Sequence, residues 1–479
     1  MTVSALIDRL RAVVGPAHLL IDRSDLAGRD TDGRGAAGHA LALVRPGNAE
    51  EIAKVVAIAA REGVRIVPQG ARTGLVAGGT ADDSGSMLLL SLERLNRLLE
   101  INPVNRTARV GAGVTLSQLN AAAAEHGLFF PIDLGADPTV GGMIAANTGG
   151  ARFLRYGDVR RNLLAVELVT SGPAAAILRL GRACWKQNDG VDLKQLAVGT
   201  GGAMGIVTAA TLALQPKPVH AVTALLALSD EMAIDRLLTA FERDWGMLLT
   251  AFEGVSSAAC DAAFDHVPRL RRPFPTNEAH RYFLLVELAA GAAFDAAMLE
   301  EALATGIAPF MEGPDAPVVD VAVDRQNGLW ALRHAIPEGL RASGSVIGCD
   351  VALPRGDVAA FRRAMTIEIL HDHPQLRVCD FGHVGDGGLH FNMVWPHEAG
   401  PIPAGLADGV RMKVLAAAVE RHGGSFSAEH GVGPRNIAAY RSFTDPAVQR
   451  LAGQIQSLLA PVPIGRVNFG FSEAQGRSN

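Results

Sequence analysis

The sequence has few cysteines and no long apolar run. Its four cysteines are scattered over 479 residues without a C-x-x-C pair (Cys184, Cys260, Cys349 and Cys379), which argues against a disulfide framework and a thiolate zinc site. No apolar run approaches the roughly 20 residues that span a bilayer. Residues 1–20 carry charges at amphipathic spacing instead of the apolar block of a signal peptide. We therefore expect a cytoplasmic protein without a transmembrane segment.

The chain also lacks a strong excess of charge, internal repeats and low-complexity linkers. Hydrophobic residues make up 48% and the formal net charge is −5, which argues against disorder, an acidic tail and a nucleic-acid-binding surface. A length of 479 residues exceeds what one hydrophobic core usually organises. We expect a soluble enzyme of two or three domains that share a cleft.

Two polar stretches rich in glycine indicate a metal-centred active site. Gly382–Asn392 and Ser427–Gly431 together hold three histidines, two carboxylates and an asparagine. Two imidazoles and a carboxylate suit a divalent ion such as zinc or manganese, with one position left open for substrate. The rest of the chemistry must come from elsewhere in the chain.

A glycine-rich loop follows the first well-defined strand of the sequence. Asn48 and Glu51 have the spacing of a capping box for a helix that runs to Gly63, and Val64–Pro68 is predicted as a buried strand. The loop at 69–80 then exposes backbone N–H groups that suit a pyrophosphate. A flexible surface turn is the alternative interpretation of this loop taken alone.

A second glycine-dense block covers residues 133–157, and two such blocks indicate a large, flat cofactor. Strands are predicted at 87–90 and 108–110, and Thr115 with Gln118 predicts a capped helix, which together indicate an α/β or α+β fold. The Gly-x-Gly at 111–113 lacks the third glycine of a dinucleotide fingerprint because Leu116 stands there. We reject a Rossmann fold.

Glycine density falls after Pro218, where the sequence changes character. Helices are predicted at 231–241 and 294–303, a strand at 283–288, and further helix from Ala404. We therefore place domain boundaries after residues 218 and 402.

In its glycine blocks and its histidine motifs the sequence resembles the flavin-dependent 2-hydroxy acid dehydrogenases of the vanillyl-alcohol-oxidase type. That group contains D-lactate, glycolate and D-2-hydroxyglutarate dehydrogenases, and the last branch is the most similar. Seven blocks in family order carry the resemblance: Pro68–Leu75, Asp133–Ala136, Gly141–Gly142 with Asn147 and Gly149–Gly150, Arg155–Gly157, Asp192–Leu196 with Gly205–Ile206, Gly382–Asn392, and Ser427–Gly433.

The resemblance implies an α+β fold with a two-part FAD-binding domain (1–218), a substrate or cap domain (219–402) and a helical C-terminal segment that completes the site (403–479). Non-covalent FAD is expected because no histidine lies within 68–80, where some relatives attach the flavin. The implied flavin-binding residues are Pro68, Gln69, Gly70, Ala71, Arg72, Thr73, Gly74, Leu75, Gly79, Asp133, Leu134, Gly135, Ala136, Thr139, Gly141, Gly142, Asn147, Gly149, Gly150, Tyr156, Gly157, Gly205 and Ile206.

The resemblance also implies the residues of the chemistry. His383, His390 and Glu429 would ligate the metal, Asn392 and Arg333 would hold the substrate, and His430 would be the acid–base group that faces the flavin. The spacing agrees, since residues two apart on a strand, such as His390 and Asn392, share a face, and a turn at 385–388 returns His383 beside them. Asp386 is interpreted as a turn residue, and an ordinary surface arginine is the alternative for Arg333.

Departures from the hydroxyglutarate branch leave the substrate open. Gly348 stands where that branch has a lysine, and Pro337 stands where it can have a hydroxyl residue. A bulkier or less charged 2-hydroxy acid is therefore an alternative to D-2-hydroxyglutarate. The blocks at 199–205 and 468–469 also differ from the family pattern.

Two rival classes stay open at this point, namely a metal-dependent hydrolase and a flavin-carrying subunit without catalysis. For the leading interpretation, the electron acceptor is undetermined among a quinone, an electron-transfer flavoprotein, a cytochrome and oxygen. A homodimer is the default assembly.

Overall fold

The computed structural model describes residues 2–274 and 280–470. The strands are β1 (Leu19–Leu20), β2 (Ala42–Val44), β3 (Ile66–Gln69), β4 (Leu88–Ser91), β5 (Leu99–Asn102), β6 (Thr107–Gly111), β7 (Leu128–Phe129), β8 (Leu163–Val169), β9 (Ile177–Gly181), β10 (Ile206–Ala213), β11 (Gln215–Pro216), β12 (His220–Leu228), β13 (Leu249–Ser256), β14 (Tyr282–Ala290), β15 (Val318–Asp324), β16 (Gly344–Ala352), β17 (Arg377–Val378), β18 (Phe381–Gly382) and β19 (Gly388–Pro396).

The α-helices are α1 (Val3–Val14), α2 (Arg23–Leu26), α3 (Ala49–Arg61), α4 (Leu116–Ala124), α5 (Val140–Ala146), α6 (Phe153–Tyr156), α7 (Val159–Asn162), α8 (Ile234–Trp245), α9 (Ser257–His266), α10 (Ala296–Ile307), α11 (Gly328–Ser343), α12 (Val358–Asp372), α13 (Leu406–Ala416), α14 (Ile437–Phe443) and α15 (Pro446–Leu459). Among the described residues, no helix has the length and apolar character needed to cross a membrane.

The chain divides into two compact units. The first unit comprises Met1–Gly149, Asp158–Pro216 and Glu429–Asn479, and the second comprises Gly150–Gly157 and Lys217–Ala428. The chain thus crosses between units close to the predicted boundary at 218. It crosses back between Ala428 and Glu429, and the short segment Gly150–Gly157 belongs to the second unit.

The first unit has a mixed, four-stranded sheet and a five-stranded antiparallel sheet. The first has the order β1-β2-β4-β3, with β2 and β3 parallel to β4, and the second has the order β5-β6-β10-β8-β9. Strands β7 and β11 form a separate pair. Parallel pairing requires a crossover, and α3 supplies it between β2 and β3.

Local sequence signals explain the helix starts of the first unit. Thr115 and Gln118 form the predicted capping box of α4. Asn48 caps α3 by accepting the Glu51 N–H at 2.8 Å. The prediction of a full capping box there was wrong, because the Glu51 carboxylate accepts from the N–H of Gly47, at 2.7 Å, instead of from the cap residue's own N–H.

The second unit is built on an eight-stranded antiparallel sheet. Seven of its strands follow the order β15-β12-β14-β13-β18-β19-β16, and the eighth, β17, pairs with β19. Helices α9 and α11 pack on one face, over a core that includes Phe283, Ile336 and Phe381. The two helices approach closely at Gly339, where an added Cβ would lie 2.4 Å from the Ala262 carbonyl oxygen. This close packing fixes the position of α11 over the sheet.

The predicted elements of the second unit are present with small shifts. The helix predicted at 294–303 begins at Ala296, because the Asp295 side chain caps it. The region predicted as helix at 231–241 is a short 3₁₀ turn followed by α8. The strand predicted at 283–288 is the centre of β14.

Candidate metal and flavin sites

A short hairpin presents two histidines on the central strands of the second unit. Strand β18 leads into a turn that is closed by two bonds to the His383 carbonyl, from the N–H groups of Asp386 and Gly388, each 3.0 Å. The turn needs glycine at Gly387, where φ is 97° and an added Cβ would lie 2.2 Å from the Leu353 carbonyl oxygen. The His383 and His390 rings consequently lie 5.4 Å apart, centre to centre.

The hairpin prediction is therefore confirmed, including the role of Asp386. Its carboxylate accepts the Gly388 N–H at 3.0 Å, as expected of a turn residue. His390 and Asn392 are less buried than the residues between and beside them, consistent with a shared face of β19.

Strand β16 contributes two positions to that same face. Asp350 pairs directly with His390 in the ladder, and Gly348 pairs with Asn392. The Asp350 carboxylate lies 3.4 Å from His390 Nδ1. Gly348, which stands where the resemblance to the D-2-hydroxyglutarate dehydrogenases predicts a lysine, is thus the cross-strand neighbour of Asn392, a predicted substrate-binding residue.

A buried glutamate joins the hairpin to α11. Glu253, in β13, has its Oε1 2.6 Å from His383 Nδ1, and its Oε2 accepts from Arg333 Nε at 2.8 Å. Burial alone would raise the pKa of the Glu253 carboxyl, but the charges and hydrogen bonds of His383 and Arg333 lower that pKa to about 2.

Arg333 is a buried residue, so its alternative interpretation as a surface arginine was wrong. Its side chain is 9% exposed, and the guanidinium lies 4.6 Å from the centre of the Phe381 ring. Pro337 stands inside α11 one turn later. Since proline has no N–H, the usual helical bond to the Arg333 carbonyl is absent.

Two overlapping groups of side chains are suited to a metal ion. Ligand atoms of His383, His390 and Glu429 lie within 4.8 Å of one another, as do those of Asp350, His390 and His430. Glu429 directly follows Ala428, whose N–H donates to the Asp350 carbonyl at 3.3 Å. The predicted ligands therefore come together, and their imidazole and carboxylate donors fit zinc or manganese.

The glycine-rich loop after β3 has the character of an anion cradle. In the described part of the chain, the N–H groups of residues 71–79 donate to no protein acceptor. Arg72 and Ala77 have left-handed backbones, with φ of 65° and 59°, which cost roughly 1–3 kcal/mol each in a non-glycine residue. The Gln69 side chain closes the loop by donating to the carbonyls of Arg29 and Gly79, both at 2.9 Å. Free amides in a loop held open in this way suit a pyrophosphate.

Within the first unit, the glycine blocks meet at this loop. A Cβ added to Gly70 would lie 2.4 Å from Thr139 Oγ1, and one added to Gly202 would lie 3.2 Å from the Pro68 side chain. A Cβ added to Gly433 would lie 2.4 Å from the Val76 carbonyl oxygen. Segments far apart in sequence thus surround one backbone cradle, and only small residues permit that approach.

Several predicted flavin residues have other demonstrable partners. The Asn147 amide donates to Asp158 at 2.7 Å and accepts from the Arg160 N–H at 3.0 Å, so its side chain supports α7. Gly141 and Gly205 are required by packing, because added Cβ atoms would meet Ala112 and Leu168 within 2.8 Å. Their roles toward flavin stay predictions.

Gly150, Tyr156 and Gly157 differ from the other predicted flavin residues because they belong to the second unit. Burial raises the pKa of the Tyr156 hydroxyl. Its neighbour Arg155 donates to the Ala289 carbonyl at 2.9 Å. This bond anchors the segment to β14.

Two solved structures share the fold of this chain. The structure of p-cresol methylhydroxylase with bound substrate is similar with a TM-score of 0.73, at 17% identity, over 96% of this chain and 95% of that one. A 4-ethylphenol oxidase from Gulosibacter chungangensis, in complex with isoeugenol, has a TM-score of 0.68 at 18% identity and 98% coverage of both chains. The predicted vanillyl-alcohol-oxidase type of fold is confirmed.

Family models identify the group more closely. The model described as an FAD binding domain matches residues 40–181, and the model for the C-terminal domain of FAD linked oxidases matches residues 217–464, more than half of the chain. The chain belongs to the FAD-linked oxidases, and it is an oxidoreductase.

Similar proteins cover most of the chain. D-2-hydroxyglutarate dehydrogenase of Xanthomonas citri pv. viticola is 36% identical over 430 residues, or 88% of this chain and 88% of that protein. The Stutzerimonas stutzeri protein of the same name is 31% identical over 437 residues, 90% and 91% of the two chains. The mitochondrial D-2-hydroxyglutarate dehydrogenase of Rattus norvegicus is 29% identical over 471 residues, 93% and 81%.

Proposed function

We propose that this chain oxidises a D-2-hydroxy acid to the 2-oxo acid, using non-covalent FAD and a divalent metal, zinc or manganese. The observation that carries the proposal is the convergence of His383, His390 and Glu429 within 4.8 Å in a chain of the FAD-linked oxidase family. Similar proteins of nearly the same length are named D-2-hydroxyglutarate dehydrogenase. Bound flavin supplies a hydride acceptor, and a bound metal makes the 2-hydroxyl proton easier to remove.

The residues of the chain have separate tasks in this proposal. Arg333 uses Nε for Glu253, which leaves its two terminal nitrogens for the C1 carboxylate, a group that the planar guanidinium binds in two-point fashion. Asn392 steadies the same substrate end from β19. His430, an imidazole of the kind that most often serves as a general base, takes the 2-hydroxyl proton. Fixing the carboxylate in one orientation exposes the C2 hydrogen of one enantiomer only.

For the side chain of the substrate, D-2-hydroxyglutarate is the first candidate, because the similar proteins carry that name. A less charged or bulkier D-2-hydroxy acid, of the D-lactate or glycolate dehydrogenase kind, is the second. Gly348 favours the second, since it pairs with Asn392 and offers no cation for a distal carboxylate.

The remaining parts of the proposal concern the setting of the reaction. We place the enzyme in the cytoplasm, as a homodimer without a nucleic-acid partner. Its reduced flavin passes electrons to a quinone, an electron-transfer flavoprotein, a cytochrome or oxygen. A hydrolase with a metal-bound water would use the same ligands, but it assigns no role to the free amides of residues 71–79.

The test is anaerobic bleaching of the flavin in the purified, metal-replete protein by D- and L-2-hydroxy acids. The panel is lactate, malate, hydroxyglutarate, mandelate and longer apolar acids. We expect one D-acid to bleach the flavin and a chelator to abolish the reaction. Flavin that stays oxidised with every acid would disprove the assignment.

A further inference from the structure

Glu253 connects two parts of the candidate site that sequence motifs treat separately. Its strand, β13, lies beside β18, with Gly254 opposite Gly382 in the ladder. The side chain is 1% exposed and contacts His383 with one oxygen and Arg333 with the other, at 2.6 and 2.8 Å. We propose that Glu253 is a positioning residue that fixes both the metal-binding nitrogen of His383 and the orientation of the substrate-binding Arg333. The inference rests on the proposed function.

The contact with His383 determines which ring nitrogen is available as a ligand. His383 Nδ1 lies 2.6 Å from Glu253 Oε1, so the geometry leaves Nε2 as the ring nitrogen for a metal ion. In that arrangement Nδ1 carries the ring hydrogen and donates it to the carboxylate, as is usual for a ligating histidine. A carboxylate behind a ligating histidine also makes that histidine more basic, and removing such a partner typically costs 10–100-fold in metal affinity.

The contact with Arg333 restricts a long side chain that would otherwise have many rotamers. Nε is bound to Glu253 and the guanidinium plane lies over the Phe381 ring, 4.6 Å from its centre. Because Nε and the guanidinium plane are both fixed, the two terminal nitrogens of Arg333 can bind a carboxylate from one direction only. Phe381 is also the ladder partner of His390, so the arginine and the metal ligands share one rigid support.

A second buried glutamate on the neighbouring strand provides a matched control. Glu287 is also 1% exposed and pairs with Arg152 at 3.1 Å. Its other partners are the Trp330 indole N–H at 2.7 Å and the Thr250 hydroxyl at 2.6 Å. Glu287 has the same burial and a similar ion pair, and in the described part of the chain it contacts none of the predicted metal ligands. A change at Glu287 therefore shows the general cost of altering a buried carboxylate, separate from a positioning role.

Glu253→Gln is the informative substitution because an amide offers one acceptor and one donor where the carboxylate offers two acceptors. If its oxygen faces Arg333, its NH₂ faces His383 Nδ1 and favours the tautomer with the proton on Nε2, which cannot bind a metal. If its oxygen faces His383, its NH₂ opposes the Arg333 donor. Metal affinity suffers in the first case and substrate binding in the second.

The experiment measures zinc and manganese affinity by competition with a chelating dye, together with KM and kcat for the acid that bleaches the wild-type flavin. Three variants are compared with the wild type at equal FAD content, after thermal unfolding scans have shown that they fold: Glu253→Gln, Glu253→Asp and Glu287→Gln. We expect Glu253→Gln to lose at least 10-fold in metal affinity or to raise KM at least 10-fold, while Glu287→Gln keeps the wild-type values. Glu253→Asp retains both acceptor oxygens of the carboxylate, so we expect its metal affinity and KM to lie between those of the wild type and Glu253→Gln. If Glu253→Gln does not fold, Glu253→Asp is measured in its place.

The outcomes distinguish the two levels of the proposal. A folded Glu253→Gln protein with wild-type metal affinity and KM would overturn the positioning role while the proposed function stands. Equal losses in Glu253→Gln and Glu287→Gln would also overturn it. A wild-type protein that binds FAD but no metal, and is bleached by no 2-hydroxy acid, would instead refute the proposed function.

Discussion

Replacing Arg333 by methionine should destabilise the second unit, because it leaves the buried Glu253 carboxylate without its cation. The pair is almost fully shielded, with the arginine 9% and the glutamate 1% exposed. Removing one partner of a buried ion pair costs about 3–5 kcal/mol. The His383 bond to Glu253, at 2.6 Å, survives, so we expect a cost near 3 kcal/mol, the lower end of that range.

The assay is a thermal unfolding scan of metal-free protein with saturating FAD, followed by circular dichroism. For a unit of this size, each kcal/mol shifts the midpoint by about 2–4 °C, so about 3 kcal/mol corresponds to about 6–12 °C. Methionine retains an apolar chain beside Phe381, which limits loss of packing. The double variant Arg333→Met/Glu253→Gln should regain much of the midpoint, since a neutral amide needs no cation.

Arg152→Met serves as the control, because Arg152 is 26% exposed and its partner Glu287 keeps two further hydrogen bonds. We expect a smaller shift for it. A fall of less than about 2 °C for Arg333→Met, the equivalent of under 1 kcal/mol, would show that the buried pair does not stabilise the unit. A double variant no more stable than the single one would show the same.

Three further predictions concern the candidate site. Gly348→Lys adds a cation beside Asn392, so it should lower the KM for D-2-hydroxyglutarate at least 10-fold relative to the KM for D-lactate. If the ratio of the two KM values does not change, this position does not face the substrate. His390→Ala should abolish stoichiometric metal, measured by mass spectrometry of the protein, while FAD content is retained. Gly70→Val should release FAD, since its Cβ would lie 2.4 Å from Thr139 Oγ1; the ratio of flavin to protein absorbance checks this.

Local patterns predicted the elements and the hairpin because their causes are local. The cap of α4 depends on two residues three apart, and the return of His383 to His390 depends on glycines in a five-residue turn. The glycine loop was recognisable because its composition alone exposes backbone donors. Such features need no knowledge of which strands are neighbours.

The site residues that no sequence motif marks are those whose place in the site depends on the order of the strands. Glu253 is 130 positions away from His383 and stands in a hydrophobic strand without a motif around it. Asp350 likewise has no motif around it, whereas the ladder sets it opposite His390. A carboxylate inside an otherwise apolar strand is the signal that was available, because an unpaired buried charge is too costly to persist.

The same three ligands suit a hydrolase and a dehydrogenase, so the metal group alone does not determine the reaction. Two observations outside it favour the dehydrogenase that we propose. The amides of residues 71–79 donate to no acceptor in the described chain, and Arg72 and Ala77 keep left-handed backbones that cost free energy in non-glycine residues. Arg333 is held by one nitrogen on the carboxylate that also contacts His383, a predicted metal ligand, which suits recognition of a carboxylate next to the reacting carbon. The proposed oxidation of a 2-hydroxy acid by flavin gives both features a role, whereas a metal-dependent hydrolase leaves the glycine-rich loop without one.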